Sequence, residues 1–127
     1  MAKTAIQVTA EDMVRYRAAA RRRAEQERQM HLRRAEQARG VARDAARLLK
    51  EKFGARRVIL FGSLARDDHF HRRSDIDLAV AGVSPQDFWR AWSALDSLGP
   101  EFEIDLIDIE TTPAALCRQI EQEGVEI

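Results

Sequence analysis

The chain has 127 residues, 45% of them hydrophobic and 33% charged, with equal numbers of acidic and basic side chains. That length suits one modest core rather than two, and no apolar run approaches the roughly 20 residues that span a bilayer, so no membrane-spanning helix is expected. The zero net charge hides an asymmetry: Ala10–Lys50 holds 12 Lys and Arg against 6 Asp and Glu, whereas Glu51 to the end holds 8 against 15.

Residues from about Thr9 to Phe53 contain no Pro and one Gly, Gly40, and are rich in Ala, Arg, Glu, Gln and Leu. These residue types lose least on entering a helix, so one long helix is expected, with a kink near Gly40. Thr9 and Asp12 have the spacing of a capping pair, and Glu11 and Asp12 suit the positive end of the helix. Ala35, Ala38, Ala42, Ala45 and Leu49 alternate by three and four and draw a narrow seam for close packing. The Arg-rich first half, around Arg21, Arg22 and Arg23, is too polar to be buried alone. It is expected to project or to pair with another chain, in a homo-oligomer or a hetero-oligomer. Nucleic acid is a weak alternative for this arm, because Glu25, Glu27 and Glu36 dilute the charge and no aromatic residues interleave it to stack bases.

Gly54 is a helix stop. Arg57–Phe61 reads as a buried strand that ends at Gly62, and Ser63 opens a short helical turn. A polar loop, 67–74, leads to a second strand from Asp75 to Val80. Ser84 and Pro85 read as the cap and first position of another helix, which carries Phe88, Trp89, Trp92 and Leu95 as core material and ends near Gly99. Glu103–Ile109 is a third strand, and Thr112-Pro113 opens a last helix that Gly124 closes. This order indicates an α/β fold: a three- to four-stranded mixed sheet flanked by helices and preceded by the long helix. The expected division is residues 1–53 as an assembly arm and 54–127 as the body.

The stretch from Phe61 to Val80 carries the chemistry. Side chains alternate along a strand, so Asp75 and Asp77 face one way while Ile76 and Leu78 face the other. Two like charges beside such apolar neighbours repel each other and are costly to bury unpaired. A divalent cation resolves the conflict, and hard oxygen ligands at this spacing suit Mg²⁺, which binds one or two carboxylates together with substrate phosphates. Gly62 allows close backbone approach to a ligand, Ser63 begins a turn whose free N–H groups favour an anion, and Arg66 can add a charged hydrogen bond. Each feature alone has an ordinary structural explanation; the combination is more specific.

Gly62-Ser63, Ala65-Arg66 and Ser74-Asp75-Ile76-Asp77-Leu78 together resemble the signature of the nucleotidyltransferase superfamily typified by DNA polymerase beta. Within it they resemble the minimal nucleotidyltransferases. Asp67 stands where that family usually has Gly, and the spacer from Leu64 to Ser74 is one residue longer than the commonest. The resemblance implies a nucleotide-binding set of Gly62, Ser63, Arg66 and Ser74. It also implies a third carboxylate on the neighbouring strand, where the family pattern selects Asp105 over Asp108, which reads as a surface or capping residue. Asp75, Asp77 and Asp105 would then hold two Mg²⁺ ions, or Mn²⁺, with Asp105 helping to activate the attacking hydroxyl. The implied reaction moves a nucleoside monophosphate, AMP by preference, from NTP to a hydroxyl. Small members of the family act as antitoxins that adenylylate a HEPN-type partner, and such a partner is expected here. A degenerate fold that neutralises a partner by contact alone is the alternative.

His69, His71, Arg72 and Arg73 sit in the polar loop as solvent-facing residues, and His31 has no ligand companions. Cys117, the single cysteine, cannot pair internally. With no signal-peptide core at the N-terminus, a reducing cytoplasm is the expected setting.

Overall fold

The computed structural model describes residues 8–66, 70 and 74–127. The elements run in the order helix α1 (Ala10–Phe53), strand β1 (Arg57–Phe61), a 3-10 turn (Gly62–Leu64), strand β2 (Ile76–Ala81), helix α2 (Phe88–Leu95), strand β3 (Ile104–Asp108), helix α3 (Ala114–Glu123) and strand β4 (Val125–Glu126). The loop residues singled out in the sequence, Asp67, His69, His71, Arg72 and Arg73, lie outside the described residues. No helix among the described residues is long and apolar enough to cross a membrane.

Helix α1 starts as its sequence dictates. The Thr9 N–H donates to Asp12 Oδ2 at 3.2 Å and the Asp12 N–H donates to Thr9 Oγ1 at 3.1 Å, so two donors that the first turn leaves orphaned are satisfied reciprocally. The helix is uninterrupted at Gly40. The chain divides into two compact units, the first ending at Arg33 and the second spanning Arg34–Ile127. In the first unit the helix surface is charged and exposed, with short-range pairs such as Arg28–Glu25 at 2.6 Å, and Val14, Tyr16 and Met30 are open to solvent.

In the second unit the expected alanine seam is buried: Ala35, Ala38, Ala42, Ala45, Ala46 and Leu49. Small side chains there let the helix backbone approach the sheet closely. Gly54, at φ +72°, ends the helix in a conformation that L residues with a Cβ rarely adopt. The sheet order is β3-β2-β1-β4, with β1 antiparallel to β2 and β4 and β2 parallel to β3. It is a mixed sheet, as the sequence leads one to expect, with the three strands read there and a fourth, the edge strand β4, which has only two residues and no pattern to announce it.

Strand alternation divides the sheet into two faces. Val58, Leu60, Leu78, Val80 and Leu106 join the main core with the α1 seam and with Ala91 and Leu95 of α2. Ile59 and Ala79 face the other way and pack on Ile120 of α3. The second face matters for function, because Asp77 and Asp105 have the same parity as Ile59, Ala79 and Ile107.

Three sequence expectations fail around α2. The helix begins at Phe88, not at Pro85: the Ser84 hydroxyl donates to Asp87 Oδ2 at 3.0 Å and the Asp87 N–H donates to the Ser84 carbonyl at 3.0 Å, so this stretch closes as a turn. It ends at Leu95 rather than Gly99. Trp89 is not core material but 69% exposed. Phe88, Ala91, Trp92 and Leu95 share the inward stripe at helical spacing, and Trp89 falls about 100° away from Phe88 on the shoulder of the helix, where it stacks on Trp92 at 5.3 Å between ring centroids.

Candidate active site

Three strands bring the site together. Phe61 is paired with Asp77 across β1 and β2, and Asp77 with Asp105 across β2 and β3, so the three form one row at one end of the sheet. The next row on the same face is Ile59, Ala79 and Ile107. Asp75 immediately precedes β2 and lies outside its ladder. It contributes charge to the cluster, for it raises the carboxyls of both Asp105 and Asp77.

Directly after Phe61 the chain turns at Gly62, whose φ is +74°. A Cβ on Gly62 would overlap Asp77 Oδ2 and would lie 3.1 Å from Asp77 Cγ, so this position needs glycine for conformation and for space. The backbone therefore passes directly over the carboxylate. Ser63, half-buried, sits in the 3-10 turn, where the Ala65 N–H donates to the Gly62 carbonyl and the Arg66 N–H to the Ser63 carbonyl, both at 3.2 Å. Because the element is a single turn, it offers an anion its leading N–H groups rather than the summed dipole of a long helix. The exposed Arg66 lines a small cavity of about 190 Å³ with Phe61, Gly62 and Leu116. Ser74 is half-buried at the approach to Asp75.

The electrostatics follow from this crowding. Burial pushes the Asp77 carboxyl up to about 6, and the charges of Asp105 and Asp75 push in the same direction. Asp105 is raised by burial first, then by the Asp75 charge and by its hydrogen bond to Asp75. Among the described residues no cation forms an ion pair with any of the three, and no group of three acidic, His or Cys side chains is closed into a ready metal cage. The donor set nevertheless fits a divalent cation: hard carboxylate oxygens, partly desolvated and repelling one another, are what such an ion neutralises.

Asp108 stands apart from the row, opposite Val80. Its Oδ1 accepts the Glu110 N–H at 2.9 Å and its backbone carbonyl accepts the Thr112 hydroxyl at 2.7 Å, so it holds the loop that leads into α3. The sequence reads it as a surface or capping residue; its side chain closes this turn rather than capping α3, whose N-cap is Pro113. Phe61 was not singled out from sequence as part of the site; its place beside Asp77 follows from strand register, which a single sequence does not disclose.

The family model for polymerase beta nucleotidyltransferases matches residues 44–127. The chain is 34% identical over 77 residues to the protein adenylyltransferase MntA of Shewanella oneidensis, an alignment that covers 55% of this chain and 51% of that protein. The chain thus spans about half the length of the curated relative it matches. Among solved structures it resembles a candidate minimal nucleotidyltransferase, at 28% identity and a TM-score of 0.62, over 73% of this chain and 95% of that one. It also resembles a toxin–antitoxin complex with AMP-PNP, at 27% identity and a TM-score of 0.58, over 67% of this chain and 70% of that one. With the family match covering well over half of the sequence and the carboxylate row in place, the chain belongs to the polymerase beta nucleotidyltransferase family.

Proposed function

We propose that this chain is a Mg²⁺-dependent nucleotidyltransferase that moves AMP from ATP to a hydroxyl of a partner protein, and that it serves as the antitoxin of a HEPN-type toxin. The observation that carries the reading is the row of Asp77 and Asp105 beside Asp75, with the Gly62 backbone laid over Asp77. The named adenylyltransferase relative and the nucleotide-bound toxin–antitoxin neighbour support the choice of AMP and of a protein acceptor. Asp75, Asp77 and Asp105 would hold the Mg²⁺, or Mn²⁺, which when bound neutralises the phosphate charge that builds up during transfer.

The chain's own residues then divide the remaining work. Gly62 lets the phosphates approach the backbone, the leading N–H groups at Ser63 cradle them, and Arg66 and Ser74 supply further donors. The acceptor oxygen attacks the α-phosphorus and a new O–P bond forms. The bond from that phosphorus to the bridging oxygen breaks, and pyrophosphate leaves with the electron pair. The hydroxyl proton passes to the Asp105 carboxylate, which acts as the general base. The exposed arm of α1, with Arg side chains on its surface, is assigned to assembly with the partner or with a second copy in the cytoplasm. Residues 1–53 carry this arm, whose second half is anchored through the buried seam from Ala35 to Leu49 in the catalytic body of residues 54–127.

Calorimetry of ATP binding in Mg²⁺ and in EDTA tests the reading. Three clustered carboxylates repel a triphosphate, so binding is expected in Mg²⁺ and should fall at least tenfold in EDTA. Equal affinity in both would overturn it.

A further inference from the structure

The chemistry above leaves one open cleft unused. A cavity of about 490 Å³ lies between the first turns of α2 and α3, walled by Phe88, Trp89, Ile107, Pro113 and Leu116. Trp89 is 69% exposed and Leu116 40% exposed, an apolar surface that nothing in the chain covers among the described residues. Ile107 is two residues from Asp105 and on the same face of β3, so the wall of the cleft begins about 7 Å from the carboxylate.

On the other side of Asp105, again two residues away and immediately before β3, stands Glu103. With Asp96 and Asp105 it lines a second cavity, of about 410 Å³. Glu103 thus shares a cavity with Asp105, and Asp105 shares a face of β3 with Ile107, so the three follow one another along the edge of the sheet. From Ala91 through Cys117 the sequence has six acidic residues and no Lys or Arg. Glu110 is paired with Arg56 and Asp108 is engaged by its loop, whereas Asp96 and Glu103 form no ion pair among the described residues. The Gly62 and Arg66 end of the catalytic row lies at β1, on the far side of β2 from β3, and its cavity meets the cleft only at Leu116; on the reading above it takes the nucleotide.

We propose that the β3 line reads the acceptor, an inference that rests on the nucleotidyl-transfer reading above. A basic side chain lies over Glu103 and Asp96, the hydroxyl meets Asp105, and a large apolar or aromatic side chain enters the Trp89 cleft. The spacing of about 7 Å between successive positions is two residues of extended chain, so the acceptor is an extended segment with these three groups at every second position. Charge complementarity selects the basic flank, and continuity with Asp105 selects an acceptor protein over a separate ligand.

The test uses ten-residue synthetic peptides with a central Tyr or Ser, Arg two places to one side and Leu two places to the other, in both chain orders. Label transfer from α-labelled ATP in Mg²⁺ is measured for the purified full chain. Replacing either the Leu or the Arg of the peptide by Ala should raise KM at least tenfold. Trp89→Ala should erase the dependence on Leu, and Glu103→Lys should reverse the charge preference so that a peptide with Glu in place of Arg is favoured. The Kd for Mg–ATP should stay within twofold in both variants. Equal use of all peptides, or no labelled peptide although Mg–ATP binds, would overturn the proposal. A tenfold loss of Mg–ATP affinity in Trp89→Ala would instead assign the cleft to the nucleobase and overturn it too. Failure of the wild-type chain to bind Mg–ATP would strike the nucleotidyl-transfer reading itself, and this inference would fall with it.

Discussion

Gly62 and Asp77 are placed so that no side chain can stand at the first without displacing the carboxylate of the second: a Cβ on Gly62 would lie 3.1 Å from Asp77 Cγ and would overlap Oδ2. The conformation at φ +74° adds strain for any L residue with a Cβ. Gly62→Ala is therefore expected to lower stability by about 1–2 kcal/mol, measured by urea denaturation. Mg–ATP affinity should fall at least tenfold, because the rotated carboxylate leaves the metal position. A variant that unfolds more readily yet binds Mg–ATP normally would separate the glycine from the site.

The Asp77 carboxyl rises from an ordinary 3.8 to about 6 in the fold. Between those values the folded chain holds more protons than the unfolded chain, so stability falls as pH rises from about 4 to about 6; the direction is opposite to that of a salt-bridged aspartate. Asp105, shifted in the same direction, adds to the slope. Since Asp77 is only half-buried, solvent screening leaves about 1 kcal/mol across the window. Urea denaturation in EDTA at pH 4.5 and pH 7 should show this loss, Asp77→Asn should remove most of it, and Mg²⁺ should restore stability at pH 7. A flat profile in EDTA would contradict the account of the charge cluster.

Asp105 and Asp108 lie on the same strand and do different work. Asp105→Asn should abolish nucleotidyl transfer while leaving the urea midpoint unchanged or raised. Asp108→Ala removes the acceptor for the Glu110 N–H and should cost about 1 kcal/mol while retaining transfer at a reduced rate. The reverse pattern, with Asp108→Ala inactive and Asp105→Asn active, would reassign the third carboxylate.

Ala38 is fully buried in the seam of α1, where the helix approaches the sheet closely. Ala38→Leu should destabilise the second unit by about 1–3 kcal/mol through overpacking, read as a lowered thermal midpoint. An unchanged midpoint would indicate that this part of α1 is not packed as described.

What could be read from sequence followed the strength of local signals. Val58–Phe61 is an unbroken apolar run with Gly62 at its end, which marks the strand, and α1 has dozens of helix formers and a reciprocal cap at Thr9 and Asp12. The two-residue β4 has no periodicity to reveal it. At Ser84 and Pro85 the residues that signal a helix start also close a turn, and the turn forms. Trp89 reads as core by residue type, yet helical phase puts it outside. In the site, Asp75 and Asp77 declared themselves because carboxylates beside an apolar strand demand a reason. Phe61 and the Trp89 cleft stayed hidden because they depend on register between strands and on the approach of α2 and α3.

The most direct measurement of the central claim is transfer of label from α-labelled ATP to protein, in Mg²⁺, by the wild-type chain and by Asp77→Asn, with an extract of its own cells as the source of acceptor. The substitution keeps the size of the side chain but removes the charge that would hold the metal. The account predicts a labelled protein with the wild-type chain, no labelling in EDTA, and at least a hundredfold slower labelling with a folded Asp77→Asn variant. Labelling at the wild-type rate by Asp77→Asn would contradict it.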